Sequence, residues 1–307
     1  MKLIVNQLKQ FLRLYTIRHW LLLLLFCGIS VYVNYGLGLQ KHINTLSGMP
    51  EFLAYMALYA AHALFAYGLY SAGTRKTDFW FKPGFWILLL LGFAIFAGRA
   101  VLWQHALLIE AFSPEGSIRI NRFAFGDVFR FLYLFVPVAL VWFFADRQEM
   151  PLYGFSMKHH QQGVYWILLA GMVPLIAGAS MLSDFLDYYP RFRKLSALDA
   201  PPFKIWIYEC FYGMDFVSIE LFFRGFMVIA FIRYVGIHAV LPMAAFYLSI
   251  HYGKPMGEAI SSFFGGTILG VIAFHSRSIY GGIMVHMGIA WLMELGAYTG
   301  NLIRGHW

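Results

Sequence analysis

The stretch "LLLLLFCGISVYVNYGLGL", Leu21 to Leu39, contains no charged residue. A helix rises about 1.5 Å per residue, so this stretch is long enough to cross a hydrocarbon core of about 30 Å. The pattern recurs. Further apolar candidate spans lie at about 52–72, 84–107, 128–145, 163–183, 204–233, 236–251, 258–275 and 279–299, each bounded by charge, proline or glycine. Of 307 residues 60% are apolar and 12% charged, whereas a soluble domain carries roughly 25% charged residues to build its polar shell. The surplus runs through the whole length and is not confined to a removable leader. These features predict an all-α, polytopic transmembrane helix bundle of eight to nine spans.

Ahead of the first span, "MKLIVNQLKQFLRLYTIRHW" puts Ile4, Leu8, Phe11 and Tyr15 on one helical face and Lys2, Lys9 and Arg13 elsewhere. That suits an interfacial helix lying on a charged leaflet. The net charge is +8, but the 23 lysines and arginines are scattered through short loops. Anionic lipid is therefore the expected counter-charge, and nucleic acid is not expected as a partner. Cys27 and Cys210 are the only cysteines, each in an apolar run, and imply neither a disulfide framework nor a cysteine-metal site. Basic loops at 73–82 (Arg75, Lys76, Lys82) and 146–162 (Arg147, Lys158) fall on the side of the amino terminus, which predicts that it is cytoplasmic. The loop with Arg191, Arg193, Lys194 and Lys204 counts the other way. Arg99 and Arg130 interrupt two spans, either as snorkelling end residues or as buried partners.

Segment 204–233 differs from the rest because it holds Glu209, Asp215, Glu220 and Arg224 among aromatics. Each ionised group at mid-membrane costs roughly 2.5–3.5 kcal/mol on insertion scales, so something must offset it. At 100° per residue Glu220 and Arg224 share a face about one turn apart. An isolated pair of this kind can simply pin two helices together. Two further intramembrane groups shift the weight toward a site: His251, ending "YLSIH", and His286, inside "IMVHMGIAWLME". His238 and His275 fall near span ends and read as interfacial.

With these residues assembled, the chain resembles the CAAX-protease and bacteriocin-processing membrane proteases, the CPBP or Abi family. The resemblance covers roughly 150–300. It begins at "YGFSMKHH" and continues through "IELFFRGF", "YLSIH" and "GGTILGVIAFHSRSIYGGIMVHMGIA". It divides the chain into residues 1–150, an interfacial helix and accessory spans, and 151–307, a CPBP-like core. Glu220 resembles the second of the family's paired glutamates and Arg224 the arginine four residues on. Tyr247 and His251 resemble its F-x-x-x-H element, and His286 its last histidine. Two positions depart from the pattern: Ile219 stands at the first glutamate, and Ala290 at the last asparagine or aspartate.

The resemblance implies an endopeptidase acting on membrane-associated or prenylated peptides in a bacterial-type inner (plasma) membrane. In that chemistry a glutamate and a histidine deprotonate water, while the last histidine and asparagine stabilise the oxyanion. Isoleucine accepts no proton. Loss of a general base typically costs 10² to 10⁴ in rate, and loss of one oxyanion donor about 10² to 10³. Spacing offers substitutes, because Asp215 lies one turn before Ile219 and Glu294 one turn after Ala290, each on the same helical face as its neighbour. No cofactor is firmly expected. Glu220, His251 and His286 have ligand types suited to a divalent metal such as zinc, although no H-E-x-x-H spacing occurs. Two other functions compete with proteolysis. One is a pseudoprotease that binds or regulates a membrane partner, and the other a transporter, for which the sequence shows no inverted repeat.

Overall fold

The computed structural model describes residues 2–102, 105–156 and 162–305. Among these residues the secondary structure is helical throughout. Six helical runs are long and apolar enough to cross a membrane: Ile17–Leu37, Met49–Thr74, Pro83–Val101, Glu115–Asp146, Pro202–Ser249 and Met256–Ser276. Gly163–Ala179 is a shorter apolar helix, and Tyr280–Ile303 is a helix of 24 residues. Every stretch that the sequence marks as a span therefore falls on a helix, with two of them inside the Pro202–Ser249 run. The protein is an integral, multi-pass membrane protein. The span expected at 84–107 is shorter than its apolar run, because the helix stops at Val101 and a separate short helix begins at His105.

The chain forms two compact units. The first takes residues 1–101, 141–159 and 221–279; the second takes 102–140, 160–220 and 280–307.

At the centre of the first unit is Val240–Ser249, all ten of whose residues are buried. Such a helix, apolar all round, belongs inside a protein and not at its surface. It packs against Met49–Thr74 and Met256–Ser276. Phe246 is ringed by Tyr59, Phe93, Phe96, Phe222 and Phe223, with centroids 4.8 to 6.0 Å away. In lipid, where the hydrophobic effect between helices is weak, such close packing is a main source of association. Leu221–Ala230 is π-helical and completely buried. The 100° step that placed Arg224 in the sequence reading therefore holds only as far as Glu220, where the α-helix ends.

Ile4, Phe11 and Tyr15 are buried within this unit, while Lys2, Lys9 and Arg13 are exposed beside Leu3, Leu12 and Leu14. Lys2–Arg13 packs on Met256–Ser276, and the Tyr15 hydroxyl meets His238 Nδ1 at 2.8 Å. His238, read as interfacial, also stacks on Tyr70 at 4.2 Å.

A loop from Pro151 to Ser156 is held against the π-helical segment. Ile279 N donates to Gly154 O at 3.0 Å, and Ser278 Oγ donates to Ser156 O at 2.7 Å. The rest of the "YGFSMKHH" stretch, Met157 to His160, lies outside the described residues. Asp146, fully buried, receives both arms of Arg233, at 2.6 and 2.9 Å, and the Tyr153 hydroxyl at 2.6 Å. Burial, together with the bond to Asp146 and its charge, pushes the Tyr153 phenol well above its usual range, so it remains a donor. The π-helical segment can approach this loop because residue 225 is glycine. A Cβ there would lie 2.7 Å from the Tyr153 carbonyl oxygen, a backbone atom with little freedom to yield. Gly225→Ala is expected to destabilise the protein by about 1–3 kcal/mol, measured as a lowered thermal midpoint in detergent.

In the second unit Tyr280–Ile303 packs against Pro202–Glu220 and Gln162–Ala179. One apolar cluster joins Leu195, Tyr208, Tyr212, Phe216 and Ala290. Arg130, one of the two span-interrupting arginines, pairs with the buried Asp127 at 2.7 Å. Arg99, in the first unit, lies over the Phe96 ring at 5.5 Å.

Candidate active site

Glu220 ends the α-helical part of its span and is fully buried. Its Oε1 accepts a hydrogen bond from His286 Nδ1 at 2.9 Å. The two residues are 66 apart in sequence, and they meet because Pro202–Glu220 and Tyr280–Ile303 pack together. Phe216, one turn before Glu220, lies 4.4 Å from the imidazole, ring centre to ring centre. Gly282, one turn before His286, provides the space for the carboxylate: a Cβ at this position would overlap Glu220 Oε2.

This arrangement sets the histidine's tautomer. With Nδ1–H donated to a carboxylate, Nε2 is the basic nitrogen, and an imidazolium formed by proton uptake is stabilised by the adjacent negative charge. Desolvation strengthens the interaction, because the carboxylate is shielded from water.

The other residues singled out from the sequence are placed as follows. Asp215, on the same helix as Glu220, is bonded to Ser218, whose hydroxyl reaches both the Asp215 carbonyl at 2.7 Å and Oδ1 at 3.1 Å. Glu294 is buried, and its carboxylate takes the backbone N–H of Arg191 at 2.8 and 3.0 Å and that of Phe192 at 3.3 Å. It thereby fastens a loop to the last helix. Ile219 is 6% exposed and Ala290 2%, so both apolar side chains are buried.

In the first unit Arg224 is 1% exposed, with its guanidinium 4.5 Å from the centre of the Tyr247 ring. Tyr247 in turn packs on His251 at 4.6 Å. His251 Nδ1 bonds the Tyr247 carbonyl at 2.8 Å, which makes Nε2 its basic nitrogen. Tyr247 is thus the common neighbour of Arg224 and His251.

The metal expectation needs correction. Among the described residues no group of three or more histidine, cysteine, aspartate or glutamate side chains is placed to hold a metal ion. The donor types were present in the sequence; Glu220 Oε1 is engaged by His286 Nδ1.

Phe216 and Gly282 were not singled out from sequence. Their signal was position, since each lies one turn before a motif residue on the same helix. No curated protein and no solved structure matches the chain. Residues 201–292, which carry Glu220, Arg224, His251 and His286, match the family described as type II CAAX prenyl endopeptidase Rce1-like.

Proposed function

We propose that this protein is an intramembrane endopeptidase acting on membrane-associated, prenylated peptides, with His286 as its general base and Glu220 as the group that holds and charges it. The observation that carries this reading is the buried 2.9 Å bond between Glu220 Oε1 and His286 Nδ1. A carboxylate that orients an imidazole is the arrangement that serine proteases use to make histidine a base. It compensates for Ile219 without requiring a glutamate there. His286 Nε2 would take a proton from water as the water oxygen bonds to the scissile carbonyl carbon. The C–N bond then breaks and the leaving amine takes the proton from the imidazolium. The Rce1-like match over 201–292 supports the peptide class. The resemblance also assigns roles to Arg224 and His251, and His251→Ala is expected to lower turnover. Asp215 and Glu294, considered as substitute acids, are proposed to have structural roles, as their bonds to Ser218 and to the 191–192 backbone suggest.

The test is hydrolysis of a fluorogenic farnesylated peptide by the full chain in lipid vesicles. His286→Ala should reduce turnover by about 10² to 10⁴, and Glu220→Gln should reduce it comparably. Wild-type cleavage that persists undiminished in His286→Ala would remove the proposal.

A second reading, a pseudoprotease that captures a membrane partner, is favoured by the apolar burial of Ala290 among Leu195, Tyr208, Tyr212 and Phe216. No oxyanion donor can come from such a side chain. Saturable binding of the intact farnesylated peptide with no hydrolysis would favour that reading. The exposed Arg75, Lys76 and Lys82 fit an amino terminus on the cytoplasmic side.

A further inference from the structure

The turn that carries His251 follows the Val240–Ser249 helix, whose last carbonyls are met locally: Tyr247 O by His251 Nδ1, Leu248 O by His251 N and Ser249 O by Tyr252 N. The carbonyls of Tyr252 and Lys254 lie beyond that local set, and Tyr252 is 3% exposed, so they take donors from elsewhere in the unit. The donors come from Ile17–Leu37, about 200 residues earlier and outside the Rce1-like stretch. Tyr35 OH donates its one proton to Lys254 O at 2.8 Å, with His251 O at 3.3 Å as the more distant second acceptor. Asn34 Nδ2 donates to Tyr252 O at 3.0 Å, while its Oδ1 accepts from Gln40 N at 3.1 Å. With its two ends committed to an acceptor and a donor, the Asn34 amide can sit only one way round.

The Tyr252 side chain is tied down as well. Its hydroxyl meets Ser30 Oγ at 2.6 Å and His62 Nε2 at 2.8 Å, and Ser30 Oγ meets the same His62 nitrogen at 2.8 Å. His62 Nδ1 donates to Leu58 O at 2.8 Å, so Nε2 is the accepting nitrogen of this triangle. Asn34 and His62 are 6% and 2% exposed. Each polar group in the set therefore depends on the others, and removing one leaves a buried donor or acceptor stranded.

We infer that Ser30, Asn34, Tyr35 and His62 are positioning residues for His251: they fix the turn on which its imidazole is carried, and so the direction in which Nε2 points. This inference rests on the proposed peptidase reading for the importance of His251, though not for the geometry. A displacement of about 1 Å of a reacting group can cost 10²-fold in rate, so a backbone held by Tyr35 and Asn34 matters more than the stability it adds.

The experiment reads His251 directly. Full-length protein with ¹³C,¹⁵N-labelled histidine is placed in lipid nanodiscs, and the His251 signal is identified by its loss in His251→Gln. Asn34→Ala, Tyr35→Phe and Ser30→Ala should each shift the His251 tautomer ratio and its pH midpoint, whereas Ser30→Thr, which keeps the hydroxyl, should leave both unchanged. Leu23→Ala is the control, because Leu23 is buried on the same helix and makes none of these bonds. Signals unchanged in Asn34→Ala and Tyr35→Phe overturn the inference, as do shifts reproduced by Leu23→Ala. With a farnesylated peptide as substrate, kcat in Asn34→Ala should fall about tenfold or more at constant KM. A wild type that cleaves nothing would end the peptidase reading and leave the His251 measurement standing.

Discussion

Replacing Gly282 with alanine is expected to abolish peptide cleavage by this protein while leaving it folded. A methyl group at 282 occupies the space of Glu220 Oε2, so the carboxylate must swing away and release His286 Nδ1. The atom displaced is the far end of a flexible side chain, and alanine is a better helix former than glycine by up to about 1 kcal/mol, which offsets part of the cost of disturbing a buried carboxylate. Turnover, by contrast, should fall by about 10² to 10⁴, as for loss of a general base. Adding Glu220→Asp, whose shorter carboxylate clears the methyl, should restore part of the loss. The imidazole ¹⁵N signal of His286 is the companion measurement. If Gly282→Ala leaves both turnover and that signal at wild-type values, the Glu220–His286 pair does not work as proposed.

Arg233→Met should have the largest effect on stability. The carboxylate of Asp146 is fully buried, and Arg233 supplies its only cationic partner among the described residues. Removing one member of a buried pair strands the other, at a cost of about 3–5 kcal/mol. The Tyr153 hydroxyl offsets part of this through one hydrogen bond. Arg233→Lys should be intermediate, because lysine cannot reproduce the two-armed contact. The double variant Asp146→Asn, Arg233→Met should recover stability relative to Arg233→Met alone, since no buried charge is left unpaired. Thermal unfolding in detergent measures all three. A double variant no better than the single would mean that the charge pair is not what holds the 151–156 loop.

The spans were legible in the sequence because lipid imposes one rule on every segment that crosses it, and runs such as Leu21–Leu39 obey that rule without help from neighbours. The types of the site residues were legible for the converse reason: a charge at Glu220 or Arg224 violates the rule and calls for a function. Their partners were not. Nothing local in the sequence announces that Glu220 bonds His286 across 66 residues, or that Asp146 receives Arg233 across 87. The π-helical form of Leu221–Ala230 was hidden because widening a helix changes its hydrogen-bond register and not its composition. Ser30, Asn34 and His62 passed as ordinary members of apolar helices. Ser30 and Asn34 are four apart, the one sequence sign that two polar groups share a face.

The order in which the chain enters its two units also constrains how it is made. Each unit is assembled from three separate stretches, and the stretch that completes each one, 221–279 for the first and 280–307 for the second, is translated late. Until then Ser30 and His62 can bond each other, but Asn34 Nδ2 lacks the Tyr252 carbonyl that it serves in the finished unit. A ribosome stalled near residue 150 would leave both halves of the protein unfinished, which makes the nascent chain, more than the mature protein, the form most exposed to membrane quality control.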